Sequence, residues 1–372
     1  MYIHSTDALN IVQFFAIGKD GRLNDFHPIR QEVMIVSMDG DRSYRQRVID
    51  AYQIFKSSGP FMESMSDMKA KTNHDLTVRK HAFAMSKFVL TRKCNVQCPF
   101  CIVPTIPTID APIDKVLDAI RVMDRYAEFM TIQGGEPTIY PHLDDVVKLL
   151  SSLRKPNGWT MVTNGIKLKD SGYRKHLRSV GVQSVTISWD AFKTWNDKLV
   201  KDAVDDFPIV TVGVIYDKSM VGKIIPLLEH LRSLHTNIVI GPYMYNPGGV
   251  RWFTAPKDET YAIPREMIPA MKRDMDEMIR RFDEFDLIVS KGILKNMVKY
   301  GLDMSWVCSE WNVLDVNNDL RVQFCQDMPA SEYTIFDLDT KFDEMKRAHR
   351  TATKGCIGCF CTCYADAELA ST

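Results

Sequence analysis

The sequence predicts an α/β protein built around a partial, TIM-like (β/α)6 barrel, on three observations. Six apolar, strand-like runs follow one another: Lys87–Thr91, Phe129–Gln133, Trp159–Thr163, Ser184–Trp189, Ile209–Ile215 and Asn237–Gly241. Helical patterns lie between them, at Ile113–Tyr126, Leu143–Leu153, Gly172–Val180 and Met220–Leu234, and such alternation gives βαβ units and a parallel sheet. Finally, the six units occupy roughly 155 residues, short of the about 250 that a closed eight-stranded barrel uses.

The flanks read differently. Residues 1–80 form an α+β leader, with strand-like runs at Ile11–Ile17 and Glu32–Ser37, a helical run near Ser43–Lys56 and a Met-rich stretch to about His74. Met62, Met65 and Met68 are spaced by three, which reads as one helix face. After Gly241 the rhythm breaks. Asn246–Pro247–Gly248–Gly249 is a turn or loop, and a polar helix follows at about Arg265–Glu284. From about Lys291 the chain becomes cysteine-bearing and less regular. The expected domains are therefore a leader (1–80), a barrel core (81–290) and a small cysteine-rich C-terminal domain (291–372).

Composition narrows the function classes. Lys+Arg and Asp+Glu both number 47 in 372 residues, so net charge gives no case for a nucleic-acid or membrane partner. The first residues lack a basic segment followed by an apolar run, and no apolar stretch is long enough to span a bilayer. A cytoplasmic location is expected, where the nine cysteines would be reduced and better suited to metals or catalysis than to disulfides. None precedes Cys94, three fall within Cys94–Cys101, and four fall within Cys356–Cys363. The histidines show no metal-ligand spacing, and there is no P-loop, GxGxxG or hydrolase elbow.

Cys94, Cys98 and Cys101 form a C-x3-C-x2-C pattern just past the first barrel strand, the edge where parallel α/β folds bind ligands. Soft thiolates suit an iron–sulfur cluster or zinc, and three core cysteines are the bland alternative. Three ligands for a four-iron cluster leave one iron open to a small chelating molecule. Gly134–Gly135–Glu136–Pro137 follows the second strand, Thr163–Asn164–Gly165 ends the third, and Ser188–Trp189–Asp190 ends the fourth. Taken alone, Thr163–Gly165 is a turn and Asp190 a helix N-cap.

Together these segments, over about residues 86–245, resemble the radical S-adenosylmethionine (SAM) superfamily. The resemblance implies that Cys94, Cys98 and Cys101 hold a [4Fe–4S] cluster and that SAM completes the fourth iron. It places Phe100 beside the SAM adenine, and Gly134, Gly135, Glu136 and Pro137 at the SAM amino group. Thr163, Asn164, Ser188 and Asp190 would line the SAM and substrate cavity.

Cys308 and Cys325 flank Asn317–Asp319, which reads as a hairpin turn placing them on neighbouring strands; Cys356, Cys359, Cys361 and Cys363 follow. This segment resembles the auxiliary-cluster extensions of the same superfamily, called SPASM for two clusters and Twitch for one. Leu320 stands where that pattern has a glycine, and the cysteines are too few and too closely spaced for two clusters. Twitch is therefore expected: a second [4Fe–4S] cluster on Cys308, Cys325, Cys356 and Cys359, with Cys361 or Cys363 as substitutes for Cys359. A zinc knuckle is the alternative. A spare thiol, Cys361 or Cys363, could donate a hydrogen atom to a product radical, although a buried structural cysteine is the commoner case.

The resemblance further implies that an external flavodoxin- or ferredoxin-type donor supplies one electron, that SAM is cleaved to a 5′-deoxyadenosyl radical, and that this radical takes a hydrogen atom from substrate. A peptide substrate is favoured, undergoing oxidation, crosslinking or epimerisation, with the leader offering a strand edge for recognition. The alternatives are a radical dehydrogenase or isomerase acting on a small molecule or nucleotide, and a non-catalytic iron–sulfur or zinc module.

Overall fold

A computed structural model describes residues 2–6, 11–17, 23–24, 83–98, 101, 109–154, 158–189, 197–243, 259–302, 311–325, 328–354 and 364. Strands β1 (Tyr2–Thr6), β2 (Ile11–Ile17) and β3 (Leu23–Asn24) form an antiparallel sheet in that order. The strand expected at Ile11–Ile17 is β2. The run at Glu32–Ser37, the helix near Ser43–Lys56 and the Met62–Met68 face lie outside the described residues.

The barrel strands are β4 (Phe83–Thr91), β5 (Ala127–Gly134), β6 (Trp159–Thr163), β7 (Ser184–Trp189), β8 (Ile209–Tyr216) and β9 (Asn237–Pro242). They pair in chain order, all parallel, as the alternating pattern predicts. Helices α1 (Ile113–Tyr126), α2 (Leu143–Leu153), α3 (Ser171–Val180), α4 (Asp197–Asp206) and α5 (Ile224–Ser233) lie between them. The alternation along each strand explains the sequence. Phe88, Leu90, Met130, Ile132, Trp159, Met161, Val185 and Ile187 enter the core with residues of α1, α2 and α3. Lys87, Thr131, Thr160 and Ser184, on the opposite face, form a buried polar row, with Ser184 Oγ donating to Thr160 Oγ1 at 3.0 Å.

Beyond β9 the expected polar helix is α6 (Ile268–Arg280), flanked by 3-10 turns at Arg265–Met267 and Phe282–Glu284. The segment after Lys291 is more regular than expected. It holds α7 (Lys291–Tyr300), strands β10 (Val313–Val316) and β11 (Val322–Gln323), and α8 (Leu338–Thr353). The expected hairpin is present, with Cys325 two residues past β11 rather than on it and Cys308 outside the described residues, and β10 does more than pair with β11. It lies parallel to β4, with Val313 opposite Met85 and Asp315 opposite Lys87, so the described sheet has eight strands in the order β11-β10-β4-β5-β6-β7-β8-β9. Lys87 Nζ meets Asp315 at 3.1 Å, with both side chains buried, and lies 4.4 Å over the Tyr364 ring. A one-residue slip of β10 would separate this pair, so the ion pair fixes register as well as contact. Among the described residues no helix is long and apolar enough to cross a membrane.

Leu320, in the glycine position of the resemblance, has φ +65°. The backbone there takes the left-handed conformation that glycine favours, while the leucine side chain is buried in the core. Left-handed backbone costs a leucine about 1 kcal/mol, whereas losing a buried leucine costs about 2–5 kcal/mol. Leu320→Gly should therefore destabilise by about 2 kcal/mol, a fall of about 3 °C in Tm for a chain of this size. A rise in Tm would show that strain outweighs burial.

Candidate functional site

The site is built on the ends of β4, β5 and β6. Strand β4 stops at Thr91, whose hydroxyl accepts from Lys93 N (3.2 Å) and donates to Asp110 Oδ2 (3.1 Å). The chain then enters the cysteine loop. The end of β5 lies against its stem: Gly135 N donates to Thr91 O (2.7 Å) and Glu136 N to Lys93 O (2.9 Å). A Cβ on Gly134 would stand 2.1 Å from Thr91 O, and one on Gly135 2.1 Å from Lys93 O. Both glycines are therefore required by the approach of two backbones.

Glu136 is 1% exposed. Its Oε1 accepts from Thr138 N (3.1 Å), Thr138 Oγ1 (2.6 Å) and Thr163 Oγ1 (2.6 Å), and its Oε2 accepts from Asn164 N (2.7 Å). This carboxylate is a bolt between the ends of β5 and β6. Pro137 opens the short 3-10 turn that it caps. Thr163–Gly165 is a turn, with Gly165 N donating to Thr163 Oγ1 (3.1 Å) and Gly165 at φ +76°. It is also a tie: Asn164 Nδ2 donates to Asn95 Oδ1, inside the cysteine loop, at 2.8 Å. Burial, then the charges of Glu136 and Asp144, push the neighbouring Tyr173 phenol up to about 12; its hydroxyl donates to Thr138 O (3.1 Å).

Cys94 is exposed; Cys98 and Cys101 are half-buried. Cys101 N donates to Cys98 O (3.0 Å), and Val96 N donates to Cys94 Sγ (3.4 Å). Among the described residues, no three His, Cys, Asp or Glu side chains stand close enough to hold a single metal ion. A four-iron cluster makes a different demand, one iron per thiolate rather than one shared centre. Three soft donors on one loop, with an amide already directed at a sulfur, fit that group.

The structure thus brings Gly134, Gly135, Glu136, Pro137, Thr163 and Asn164 to the stem of the cysteine loop. Ser188 stands near the end of β7, opposite Gly213, and is half-buried. Phe100 and Asp190 lie outside the described residues, as do Cys308, Cys356, Cys359, Cys361 and Cys363. Cys325 is half-buried just past β11, packed on the core. Sequence reasoning missed Asn95, whose partner Asn164 lies in another segment, and Thr138, which donates to Glu136 from two residues further along the same turn.

Residues 88–205 match the Radical SAM superfamily model. A GTP 3',8-cyclase of Helicobacter pylori (strain ATCC 700392 / 26695) is 27% identical over 180 residues, covering 42% of this chain and 54% of the relative. The chain spans about half the length of the curated relatives it matches. Among solved structures, Streptococcus suis SuiB bound to S-adenosylmethionine aligns with a TM-score of 0.54 at 14% identity, over 82% of this chain and 76% of that one. SuiB is also solved with precursor peptide SuiA, at TM-score 0.51 and 14% identity, over 78% and 72% of the two chains. Native anSMEcpe with bound AdoMet and Cp18Cys peptide gives 0.51 at 15% identity, over 73% of this chain and 82% of that one. The domain at residues 88–205 belongs to the radical SAM superfamily.

Proposed function

We propose that this chain cleaves SAM reductively at a [4Fe–4S] cluster held by Cys94, Cys98 and Cys101, and removes a hydrogen atom from a peptide substrate. The observation that carries the reading is convergence: the cysteine loop, the Gly134–Pro137 turn and the Thr163–Gly165 turn are hydrogen-bonded into one edge of the sheet. The cluster and SAM, when bound, supply the 5′-deoxyadenosyl radical, with the electron delivered by a flavodoxin- or ferredoxin-type donor. The chain supplies position. Glu136 has its carboxylate committed to four internal donors, so the SAM amino group is assigned to strand-end carbonyls beside it. Ser188, with Phe100 and Asp190, completes the proposed SAM and substrate cavity.

A peptide substrate is supported by fold neighbours solved with peptides, SuiB with SuiA and anSMEcpe with Cp18Cys. A second reading, a nucleotide or other small-molecule substrate, is favoured by the sequence likeness to GTP 3',8-cyclases. The two separate on substrate-dependent 5′-deoxyadenosine. A rise above the SAM-only rate on adding a peptide pool supports the first; a rise only with GTP or another nucleotide replaces it with the second.

A second [4Fe–4S] cluster on Cys308, Cys325, Cys356 and Cys359 is part of the proposal, as is a hydrogen-donor role for Cys361 or Cys363. Anaerobic reconstitution should give about eight irons per chain, and about four in Cys325→Ala or Cys356→Ala. Those variants should still cleave SAM and lose substrate turnover. Four irons plus bound zinc in wild type would remove the auxiliary cluster and leave the SAM site standing.

A further inference from the structure

The residues on either side of the cysteine loop are held from below by the turn between β10 and β11. Asn318 Nδ2 donates to Ile109 O (3.0 Å) and to Asp110 Oδ1 (3.1 Å), and Ala111 N donates to Asn318 O (2.9 Å). On the other side of the loop, Arg92, 7% exposed, donates from Nε to Asn318 Oδ1 (3.1 Å) and from a terminal nitrogen to Asn317 Oδ1 (2.5 Å). Both asparagines are buried.

These two partners of the Arg92 guanidinium are neutral amides. The carboxylates nearby are engaged by other cations: Asp110 by Lys93 (3.3 Å) and Asp319 by Arg321 (2.8 Å). Among the described residues Arg92 thus makes its direct hydrogen bonds to neutral amides, and its charge, buried two residues from Cys94, feels Asp319 and then Cys101. Arginine stays protonated even where burial opposes its charge.

We propose that Arg92 is a positioning residue that acts electrostatically: held by the amides of Asn317 and Asn318, its buried charge stabilises the reduced state of the cluster on Cys94, Cys98 and Cys101. The inference rests on the cluster assignment made under Proposed function. One-electron reduction adds a negative charge to the cluster, and a fixed positive charge in a partly dehydrated site favours the more negative state. The β10–β11 hairpin would then set the potential of the SAM site as well as cover the edge of β4.

The test is a mediated potentiometric titration of reconstituted full-length protein with dithionite. It is read on the electron paramagnetic resonance signal that Cys98→Ala protein lacks. Arg92→Gln should lower the reduced-to-oxidised ratio at a given ambient potential by about tenfold, a shift of about −59 mV for a one-electron couple. Asn317→Asp should shift it the same way, because a carboxylate in place of the amide neutralises the guanidinium without removing a buried side chain. It serves as the test if Arg92→Gln fails to fold or to load iron. Arg92→Lys, which keeps the charge, should stay close to wild type. An unchanged potential in Arg92→Gln or in Asn317→Asp, with wild-type iron content, overturns the inference alone. A fall in Arg92→Lys equal to that in Arg92→Gln also overturns it, since hydrogen bonding rather than charge would then be responsible. A wild-type protein with no signal dependent on Cys98 overturns both the inference and the cluster assignment beneath it.

Discussion

Cys98→Ala is expected to reduce 5′-deoxyadenosine formation from SAM to the reagent blank. Cys98 is the middle thiolate of the loop, and the turn in which Cys101 N donates to Cys98 O sets the direction of the third thiol. Losing this ligand leaves two thiolates on the loop, too few to hold a four-iron cluster with one open iron. The backbone around it needs no such ligand: the stem is held by Thr91, Gly135, Glu136 and Asn164. The variant should therefore fold with a near-native circular dichroism spectrum and Tm while losing iron from this site. Product formed by Cys98→Ala at the wild-type rate would contradict the assignment.

Glu136→Ala should be among the most destabilising single substitutions in the core, costing about 4 kcal/mol. It removes one buried carboxylate and strands the four donors that it satisfies: Thr138 N, Thr138 Oγ1, Thr163 Oγ1 and Asn164 N. Hydrogen bonds to charged groups are worth about 1.5–3 kcal/mol each, and a buried donor left unpaired costs about 1–3 kcal/mol. Simple addition over four donors overshoots, because the emptied space lets some of them find new partners. Glu136→Gln retains one acceptor oxygen and turns an amide toward donors, so it should cost about half as much. Urea unfolding of the two variants measures both values. A loss under about 1 kcal/mol in Glu136→Ala would show that the carboxylate does not bolt the two strand ends together. Because Asn164 joins this cluster to Asn95, the variant should also release iron faster from the cysteine loop.

The parts of this architecture that were legible in the sequence are those whose signal is local. Ser184–Trp189 is a strand with the expected boundaries because Val185, Ile187 and Trp189 on one face are apolar and Ser184, Thr186 and Ser188 on the other are polar; Trp159–Thr163 also has the expected boundaries, with the alternation limited to Trp159, Thr160 and Met161. Helices α1 and α2 also have the expected limits, each carrying a broad buried stripe. Helix α8 carries three buried residues, Leu338, Met345 and His349, on an otherwise charged segment, too thin a stripe to declare itself. In α4 the apolar residues Leu199, Val200 and Ala203 are set among acids and lysines. The cysteine loop was legible because its thiols share one short segment. Its supports were not. Arg92 and Asn317 are 225 positions apart, and Thr163 is 27 beyond Glu136. Nothing local marks a residue as the partner of another so distant. The same holds for β10: its parallel pairing with β4 joins segments separated by most of the barrel, and Asp315 reads as an ordinary strand-end polar residue until Lys87 is placed beside it. As one residue of a motif Glu136 faces the ligand in the sequence reading, whereas its carboxylate is turned inward to Thr138 in its own turn and to Thr163 and Asn164 at the end of β6.

Three cysteines holding a four-iron cluster leave its remaining iron open to SAM. Mössbauer spectroscopy of protein reconstituted anaerobically with 57Fe, recorded with and without SAM, tests it most directly. The Cys325→Ala background removes the auxiliary signal. SAM should alter one iron site of the four-iron cluster and leave the other three as they were. Iron sites that SAM leaves wholly unaltered, or a loop that takes up zinc and no iron, would contradict it.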